Sequence, residues 1–184
     1  MKFNKVPADT FQKIQLGAGF ICESFDPMSL ESAVPIAATG GGTAFEAVPT
    51  FKDLAEGIDN LPANTKEAKR LDYWEVKLTG SFMSVDEAVL GLIVGAGDLG
   101  SKKITPRNDI KIEDFKELWW VGDYGDKGGY IAIKLINALS TGGFKTQSVD
   151  KDKGAFAFEF MGHYSIEHPE TVPFEIYIDA SPAA

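Results

Sequence analysis

Alternating phenylalanines near residue 160 constrain the fold more than any other feature of the sequence. Phe156, Phe158 and Phe160 occupy every second position, and Tyr164 and Ile166 continue the same parity. Successive side chains of a β-strand point to opposite faces, so this spacing places aromatic rings on one face only. The segment therefore predicts a half-buried strand, and a second layer of structure has to cover its rings.

Further segments show the same period of two. Residues 73–82 and 174–178 alternate apolar with polar side chains. Residues 115–121 and 130–139 flank a glycine-rich connection, which predicts a hairpin. Shorter strands are expected at 13–25 and at 144–149, the first with glycines that indicate a bulge or bend.

A single segment favours a helix. Ser84 and Glu87 have the spacing of a capping box, and Gly95 offers a stop. The residues between them are almost all apolar, which predicts burial against a sheet or a neighbouring subunit. We therefore expect a mainly β fold, a β-sandwich or partly closed barrel of about seven strands, with one flanking α-helix.

The chain length of 184 residues favours one domain spanning residues 1–184. Residues 1–10, roughly, are polar and are expected to form an amino-terminal arm. A long loop is expected over about residues 40–64, because three consecutive glycines and several prolines interrupt the pattern there. Its apolar residues suggest that it docks on another surface.

The formal net charge of −9 argues against tight binding to nucleic acid. Tight nucleic-acid binding requires a basic patch, and the densest basic stretch, Lys66–Arg70, holds three basic residues. The lone cysteine, Cys22, lies in an apolar stretch and is expected to be a small buried hydrophobe. We find no signal-peptide pattern and no apolar stretch of about 18 residues, so a cytoplasmic protein without a membrane span is expected.

Catalytic patterns are weak. His163 and His168 are the two histidines, and neither has a nucleophile or metal-ligand spacing around it. The glycines at 40–42 lack the lysine of a phosphate-binding loop. We therefore expect no enzymatic activity.

Two acidic pairs have residue types found in metal or catalytic sites, but a turn or a solvent-facing strand accounts for each of them. Asp123 and Asp126 fall in a glycine-rich stretch, but their spacing differs from that of a calcium loop. Glu159 and Glu175 on late strands have the residue type of a glycosidase pair, but acids that alternate with core residues are common. No metal and no cofactor is predicted.

Five motifs in the second half of the chain carry a resemblance to a known family. They are Leu118–Asp123 (LWWVGD), Gly128–Ile133 (GGYIAI), Asn137–Phe144 (NALSTGGF), Phe158–Ser165 (FEFMGHYS) and Val172–Tyr177 (VPFEIY). Together they resemble the major tail (tail-tube) proteins of siphophages that infect Gram-positive bacteria, over roughly residues 40–178. The motifs are structural rather than catalytic.

The resemblance implies a phage tail-tube-like fold and an assembly role. Members of the family form hexameric rings that stack into a tube, and DNA passes through the tube without tight binding. The implied partners are further copies of the chain and other tail proteins such as the tape measure, tail tip and terminator. The implied location is the virion tail, assembled in the bacterial cytoplasm, with no membrane partner.

Two residue sets are expected to serve that role. Phe45, Phe51 and Leu54 in the predicted loop are candidates for contacts between subunits. Glu75, Glu159 and Glu175 are candidates for acids that face the lumen. Like charge would keep DNA from adhering to the wall.

Alternative functions remain open from the sequence. One is a carbohydrate- or receptor-binding β-sandwich, which would need exposed aromatic residues; the tryptophans are Trp74, Trp119 and Trp120. Another is the inner-tube protein of a contractile injection system, which shares the fold of the tail tube, so fold alone does not separate the two. A hydrolase with paired carboxylates is the third.

Overall fold

The computed structural model describes residues 6–29, 33–125 and 128–179. Within these ranges the chain forms ten strands: β1 Gln15–Cys22, β2 Thr39–Asp53, β3 Lys69–Phe82, β4 Gly97–Gly100, β5 Lys103–Pro106, β6 Lys116–Tyr124, β7 Gly129–Ser140, β8 Lys145–Gln147, β9 Ala155–Met161 and β10 Phe174–Asp179. One α-helix, α1, spans Glu87–Val94. Short 3₁₀ turns occupy Thr10–Lys13, Lys66–Ala68 and Ile112–Asp114.

Strand β7 belongs to two antiparallel sheets. The first sheet has the order β1-β6-β7-β10, and residues 130–135 of β7 pair with β10. The second sheet contains β2, β3, β9 and β8, and the last two residues of β7, Leu139 and Ser140, pair with β9. Strands β4 and β5 form a separate hairpin. The sheets are therefore joined at one strand, and neither closes into a barrel.

A kink at Asn137 lets β7 pass from one sheet to the other. This residue has a φ of 49°, in the left-handed region that asparagine tolerates better than most residues. Its side-chain Nδ2 donates to the carbonyl oxygen of His163 over 3.0 Å. The hydrogen bond holds the kink against the segment that follows β9.

The main core lies between the two sheets. Its buried members come from both sheets and from α1: Ile21, Val76, Leu78, Phe82, Val89, Ile93, Leu118, Trp120, Leu135, Ala138, Phe158 and Phe160. The rings of Phe82 and Phe158 lie 4.3 Å apart, and those of Phe158 and Phe160 lie 5.2 Å apart. The predicted aromatic face of β9 is thus confirmed for Phe158 and Phe160, which are buried, and for Phe156, which packs against them.

The predicted continuation of that face to Tyr164 and Ile166 is wrong. Strand β9 ends at Met161, and the amide of Gly162 makes one more hydrogen bond in the same register, to the carbonyl oxygen of Val76. Beyond this point the chain turns away from the core. Ile166 is almost fully exposed, and Tyr164 uses its hydroxyl to accept from the amide of Trp74 over 2.9 Å.

A second cluster covers the outer face of the first sheet. Cys22, Trp119, Val121 and Ala132 lie under Phe25, whose ring is 5.4 Å from that of Trp119. The segment after β1 therefore folds back over its own sheet. Cys22 is fully buried, as the sequence predicts.

The helix begins two residues later than its capping-box spacing predicts. The cap is Asp86, whose Oδ1 accepts from the amide of Val89 over 2.8 Å. Ser84 does not cap the helix, because its hydroxyl accepts from the amide of Ala38 and so ties the entry of β2 to the end of β3. Gly95, with a φ of 75°, ends the helix as expected.

The mainly β fold with one α-helix is confirmed, but the strand number and the predicted loop need correction. Residues 39–53 of the expected loop at about 40–64 form β2, the longest strand, so the connection is restricted to residues 54–68. Glycine and proline are tolerated because β2 is an edge strand. Gly41 and Gly42 form a bulge at positive φ, and Pro49 needs no ladder donor on the open edge.

No helix in the described part of the chain has the length and apolar character that crossing a bilayer requires. Of the expected amino-terminal arm at about 1–10, residues 1–5 lie outside the described ranges. Residues 7–10 lead into the first 3₁₀ turn, where the Thr10 amide donates to the carbonyl oxygen of Pro7.

Candidate assembly surface

The hairpin of β2 and β3 extends beyond the rest of its sheet. The pairing of β3 with β9 ends at Lys77 opposite Met161, whereas β2 and β3 remain paired as far as Asp53 opposite Lys69. We call residues 46–76 the arm: two strand segments, 46–53 and 69–76, and the connection 54–68. An isolated two-stranded ribbon is marginal in water, so the arm has little support of its own.

The arm exposes a set of apolar side chains. Each of the following is about half exposed: Val48, Phe51, Leu54, Ile58, Leu71 and Tyr73. Exposed apolar side chains gathered in one segment of a protein are typical of an interaction site. The set lies on both strands and on the connection, so no single substitution removes it.

Phe51 and Leu71 form the apolar pair at the distal part of the ribbon. They are direct cross-strand partners, with exposed fractions of 58% and 50%. A register shift between Thr50 and Phe51 precedes the pair. By strand alternation, Phe51 follows Ala47 on the face that the second sheet turns toward the core. The core face of this sheet therefore continues past the core as an uncovered apolar strip.

The connection at the end of the arm is held by one carboxylate. Asp53 accepts from the backbone amides of Ala55 over 3.0 Å and Asn64 over 2.8 Å. These two hydrogen bonds hold the pKa of the Asp53 carboxyl below its usual value, with a smaller contribution from nearby Lys69. Asn60 and Asn64 adopt positive φ in the same connection. The tip is thus a defined turn structure.

The structure separates the three predicted contact residues. Phe51 and Leu54 lie on the arm and are exposed. Phe45 precedes the arm, packs against the main core and has its ring 5.8 Å from that of Phe174. Phe51 and Leu54 are therefore more exposed to a partner than Phe45, which is partly buried.

Two of the three predicted lumen acids share a face. Glu75 and Glu159 lie on the outer face of the second sheet, opposite the core residues of the same strands. Glu46 joins them as the cross-strand partner of Lys77. The pKa of Lys77 is raised, first by its hydrogen bond to Glu75 and also by the charges of Glu75, Glu159 and Glu46. Three carboxylates therefore cluster around one lysine at this place, and Lys145 of β8 lies on the same face, opposite Ala157.

Glu175 is on the outer face of the other sheet. It follows Phe174 on β10 and lies opposite Lys134 of β7. Its carboxylate accepts from the hydroxyl of Tyr177, which raises the pKa of that tyrosine. Lys134 forms an ion pair with Glu117 over 2.7 Å. Within one subunit, Glu175 is therefore separate from Glu75 and Glu159.

A cleft opens between the two sheets where β1 approaches β2. It has a volume of about 470 Å³ and is lined by apolar residues, among them Phe45, Trp120 and Ile176. The approach depends on Gly19 at a φ of 67°, because a Cβ there would lie 2.6 Å from the Trp120 ring. The Trp120 indole donates to the carbonyl oxygen of Ala18 over 3.1 Å. The predicted glycine bulge in β1 is confirmed by the register shift between Leu16 and Phe20.

Packing and backbone contacts surround Cys22 and His163, two residues of types that can serve catalysis. Burial raises the pKa of the Cys22 thiol to about 11, which keeps it in the unreactive protonated form. The His163 ring stacks edge-on against Phe115, and its Nδ1 lies 3.2 Å from the carbonyl oxygen of Asn137. His168 is exposed in the connection before β10. Among the described residues, no group of three or more His, Cys, Asp and Glu side chains could hold a metal ion.

The described residues bear on two further alternatives, the carbohydrate site and the carboxylate pair. Asp126, one of the two acids compared with a calcium-binding loop, lies outside the described residues. Trp119 and Trp120 are buried, and Trp74 packs edge-on against Phe174 with a ring distance of 5.5 Å. None of the three tryptophans presents an open ring of the kind that a shallow carbohydrate site uses. Glu159 and Glu175 lie on different sheets, so they do not form a carboxylate pair.

Sequence reasoning missed Val48, Ile58, Leu71 and Tyr73 of the arm. Leu71 lies just before the predicted strand at 73–82, and Tyr73 begins that strand. The exposure of both depends on where β9 ends, which the sequence does not reveal. The alternation of Phe45, Ala47, Pro49 and Phe51 was the available signal that residues 39–53 form a strand.

Comparison with solved structures gives a likeness of low sequence identity. No protein-family model matches the sequence, and no curated protein matches it either. A chain of the solved structure "Virion of native gene transfer agent (GTA) particle" is similar, with 10% sequence identity and a TM-score of 0.45. The likeness covers 80% of this chain and 92% of that chain.

Proposed function

We propose that the chain is a non-catalytic structural subunit that polymerises, as stacked six-membered rings, into the tail tube of a bacteriophage. The observation that carries the proposal is the arm, a ribbon that exposes apolar side chains on both strands beyond its core-packed residues Trp74 and Val76. Such a ribbon becomes stable when a partner covers it. The five family motifs in residues 118–177 support the same role.

In this proposal the arm makes the contact between subunits. Phe51 and Leu54 from the predicted set, together with Leu71, supply the apolar area. The partners are further copies of the chain, and at the tube ends other tail proteins such as the tape measure, tail tip and terminator. The assembled protein belongs to the virion tail and forms in the host cytoplasm.

The outer face of the second sheet is proposed to line the lumen. Glu46, Glu75 and Glu159 form a local acidic cluster around Lys77 on this face, and every added subunit repeats the cluster. Like charge prevents a phosphate backbone from adhering to the wall during DNA passage. Reversal of Glu75 and Glu159 to lysine should leave tubes intact but slow DNA delivery. Unchanged infectivity of particles with both reversals would contradict the assignment of this face.

The direct test is negative-stain electron microscopy of the purified, concentrated protein in moderate salt, with and without a nucleating tail tip. Rings or hollow tubes would support the proposal and give the ring order. Compact monomers under both conditions would contradict it. A glycan array on the same protein tests the carbohydrate-binding alternative.

A further inference from the structure

One backbone edge of the arm has no strand partner in the described part of the chain. Strand β9 pairs with β3 only from Lys77 onward, so residues 69–75 of β3 are paired on their β2 side alone. Within a strand, the N–H and C=O of one residue point to the same side. The Trp74 amide points to the open side, since it donates there to the hydroxyl of Tyr164 over 2.9 Å.

We propose that this open edge accepts strand β10 of a second copy of the chain, and that Tyr164 guards the edge until the second copy arrives. The inference rests on the assembly role proposed above and names the two surfaces that meet. Strand β10 is suited to the role because, in the described ranges, it pairs with β7 on one side only. Addition of a strand to an open edge satisfies backbone groups that otherwise bond to water.

The apolar faces of the two edges match. On β10, Ile176 and Ile178 continue the core face of the first sheet, opposite Ile133 and Ile131, and each is 60% exposed. On the arm, Leu71 lies on the strip that continues the core face of the second sheet. If the joined sheet places these two core faces on the same side, both uncovered strips are buried together.

The charges of the two edges also match. Arg70 is exposed and donates to the backbone oxygens of Glu67 and Lys69, over 3.0 and 2.9 Å, and no carboxylate partner for it occurs among the described residues. Glu175 precedes Ile176 and so lies on the opposite face of β10. With the apolar faces aligned, Glu175 of one copy and Arg70 of the next fall on the same side of the joined sheet. Opposite charges on neighbouring strands stabilise the pairing.

Tyr164 occupies the first position that the incoming strand has to use. Its hydroxyl accepts the hydrogen bond that a strand carbonyl would accept from the Trp74 amide. The residue is partly exposed and belongs to the irregular segment after β9, so it can leave without disturbing the core. In the free subunit the hydroxyl keeps this edge from pairing at random.

Charge exchange tests the pairing. Arg70→Glu and Glu175→Lys should each weaken self-association about tenfold, since each places like charges side by side. The double variant restores the opposite charges in exchanged order and should associate within about threefold of the wild type. Lys153→Glu and Asp150→Lys, exposed charges in the turn between β8 and β9, are the matched controls. Association is measured by sedimentation velocity over a concentration series.

The blocking of the edge by Tyr164 is tested with Tyr164→Phe in the same experiment. This variant keeps the ring and loses the hydroxyl, so self-association should strengthen severalfold and the lag before assembly should shorten. An unchanged association constant would overturn the guard. Urea unfolding of each variant checks that the subunit itself is equally stable.

The outcomes separate this inference from the proposed tube. Dimers that respond to the charge exchange, without tubes in the microscope, would support the pairing and contradict the tube. Tubes whose formation the double variant does not restore would support the tube and overturn the pairing. Monomers at all concentrations for both the wild type and Tyr164→Phe would overturn the pairing as well.

Discussion

Replacing Phe51 by alanine should weaken assembly strongly and folding slightly. Phe51 is 58% exposed on the arm, where its neighbour across the ribbon is Leu71. A phenylalanine has about 150–250 Å² of surface to bury, so roughly 100 Å² of this side chain is still accessible in the free subunit. Complete coverage by a partner at about 25 cal/mol per Å² contributes about 2–3 kcal/mol per subunit.

That contribution converts to a measurable change in assembly. A loss of about 2–3 kcal/mol raises the critical concentration for polymerisation about 30- to 150-fold. The effect on folding is smaller, because the substitution opens no core cavity and removes one cross-strand pair, which is worth about 0.2–1 kcal/mol. The critical concentration is measured by pelleting polymer at a series of protein concentrations, and the free energy of unfolding by urea denaturation.

A control of the same residue type is available. Phe144 is 52% exposed, close to the value for Phe51, but it lies after β7, away from the arm. Phe144→Ala should therefore leave the critical concentration within about twofold of the wild type, since no assembly contact is assigned to it. Equal effects of the two substitutions, or an unchanged critical concentration for Phe51→Ala, would refute the role given to the arm.

Three further predictions concern the subunit itself. Gly19→Ala should lower the free energy of unfolding by about 2 kcal/mol or more, because the residue has positive φ and its new Cβ would meet the Trp120 ring. Urea unfolding measures this change. A neutral result would mean that β1 can shift away from Trp120. Because the folded-state pKa of Asp53 is lowered, its stabilisation of the arm tip is present above the unfolded pKa and is lost as the pH falls through the folded value. The protection of the Asn64 amide against hydrogen exchange, taken relative to the intrinsic rate at each pH, should therefore fall on acidification, whereas in Asp53→Ala it should be low throughout. Protection in the wild type that does not change with pH would exclude this hydrogen bond as the restraint. Cys22, with its thiol pKa raised to about 11 by burial, should react with a thiol reagent at pH 8 only as fast as the protein opens, and prompt labelling of the native protein would contradict its burial.

Local patterns predicted the elements that make up the core. The alternation of Phe156, Phe158 and Phe160 has one solution, because a shift by one residue would expose every ring. The glycine bulge of β1 and the end of α1 at Gly95 follow equally from local chemistry. These features depend on neighbours in the sequence, which is the range over which sequence patterns are informative.

The predictions that were wrong concern features that depend on residues distant in the sequence. Strand β2 was expected to be a loop because its glycines and Pro49 oppose an interior strand, and its edge position became clear only from the pairing with β3. Ser84 has good capping chemistry but is engaged by Ala38, a residue distant in sequence. The separation of Glu175 from Glu75 follows from the sheet to which each strand belongs, and no local pattern contains that information.

The pairing of β1 with β6 has a consequence for the order of events during synthesis. Gln15 lies opposite Tyr124 and Cys22 opposite Trp119, so the first strand stays without its partner until most of the chain has left the ribosome. The β2–β3 hairpin needs only neighbouring residues and forms early, since closing a short loop loses less entropy than closing a long one. Nascent subunits therefore expose the apolar arm before the core is complete, and crowded polysomes are where premature association of this protein is most to be expected.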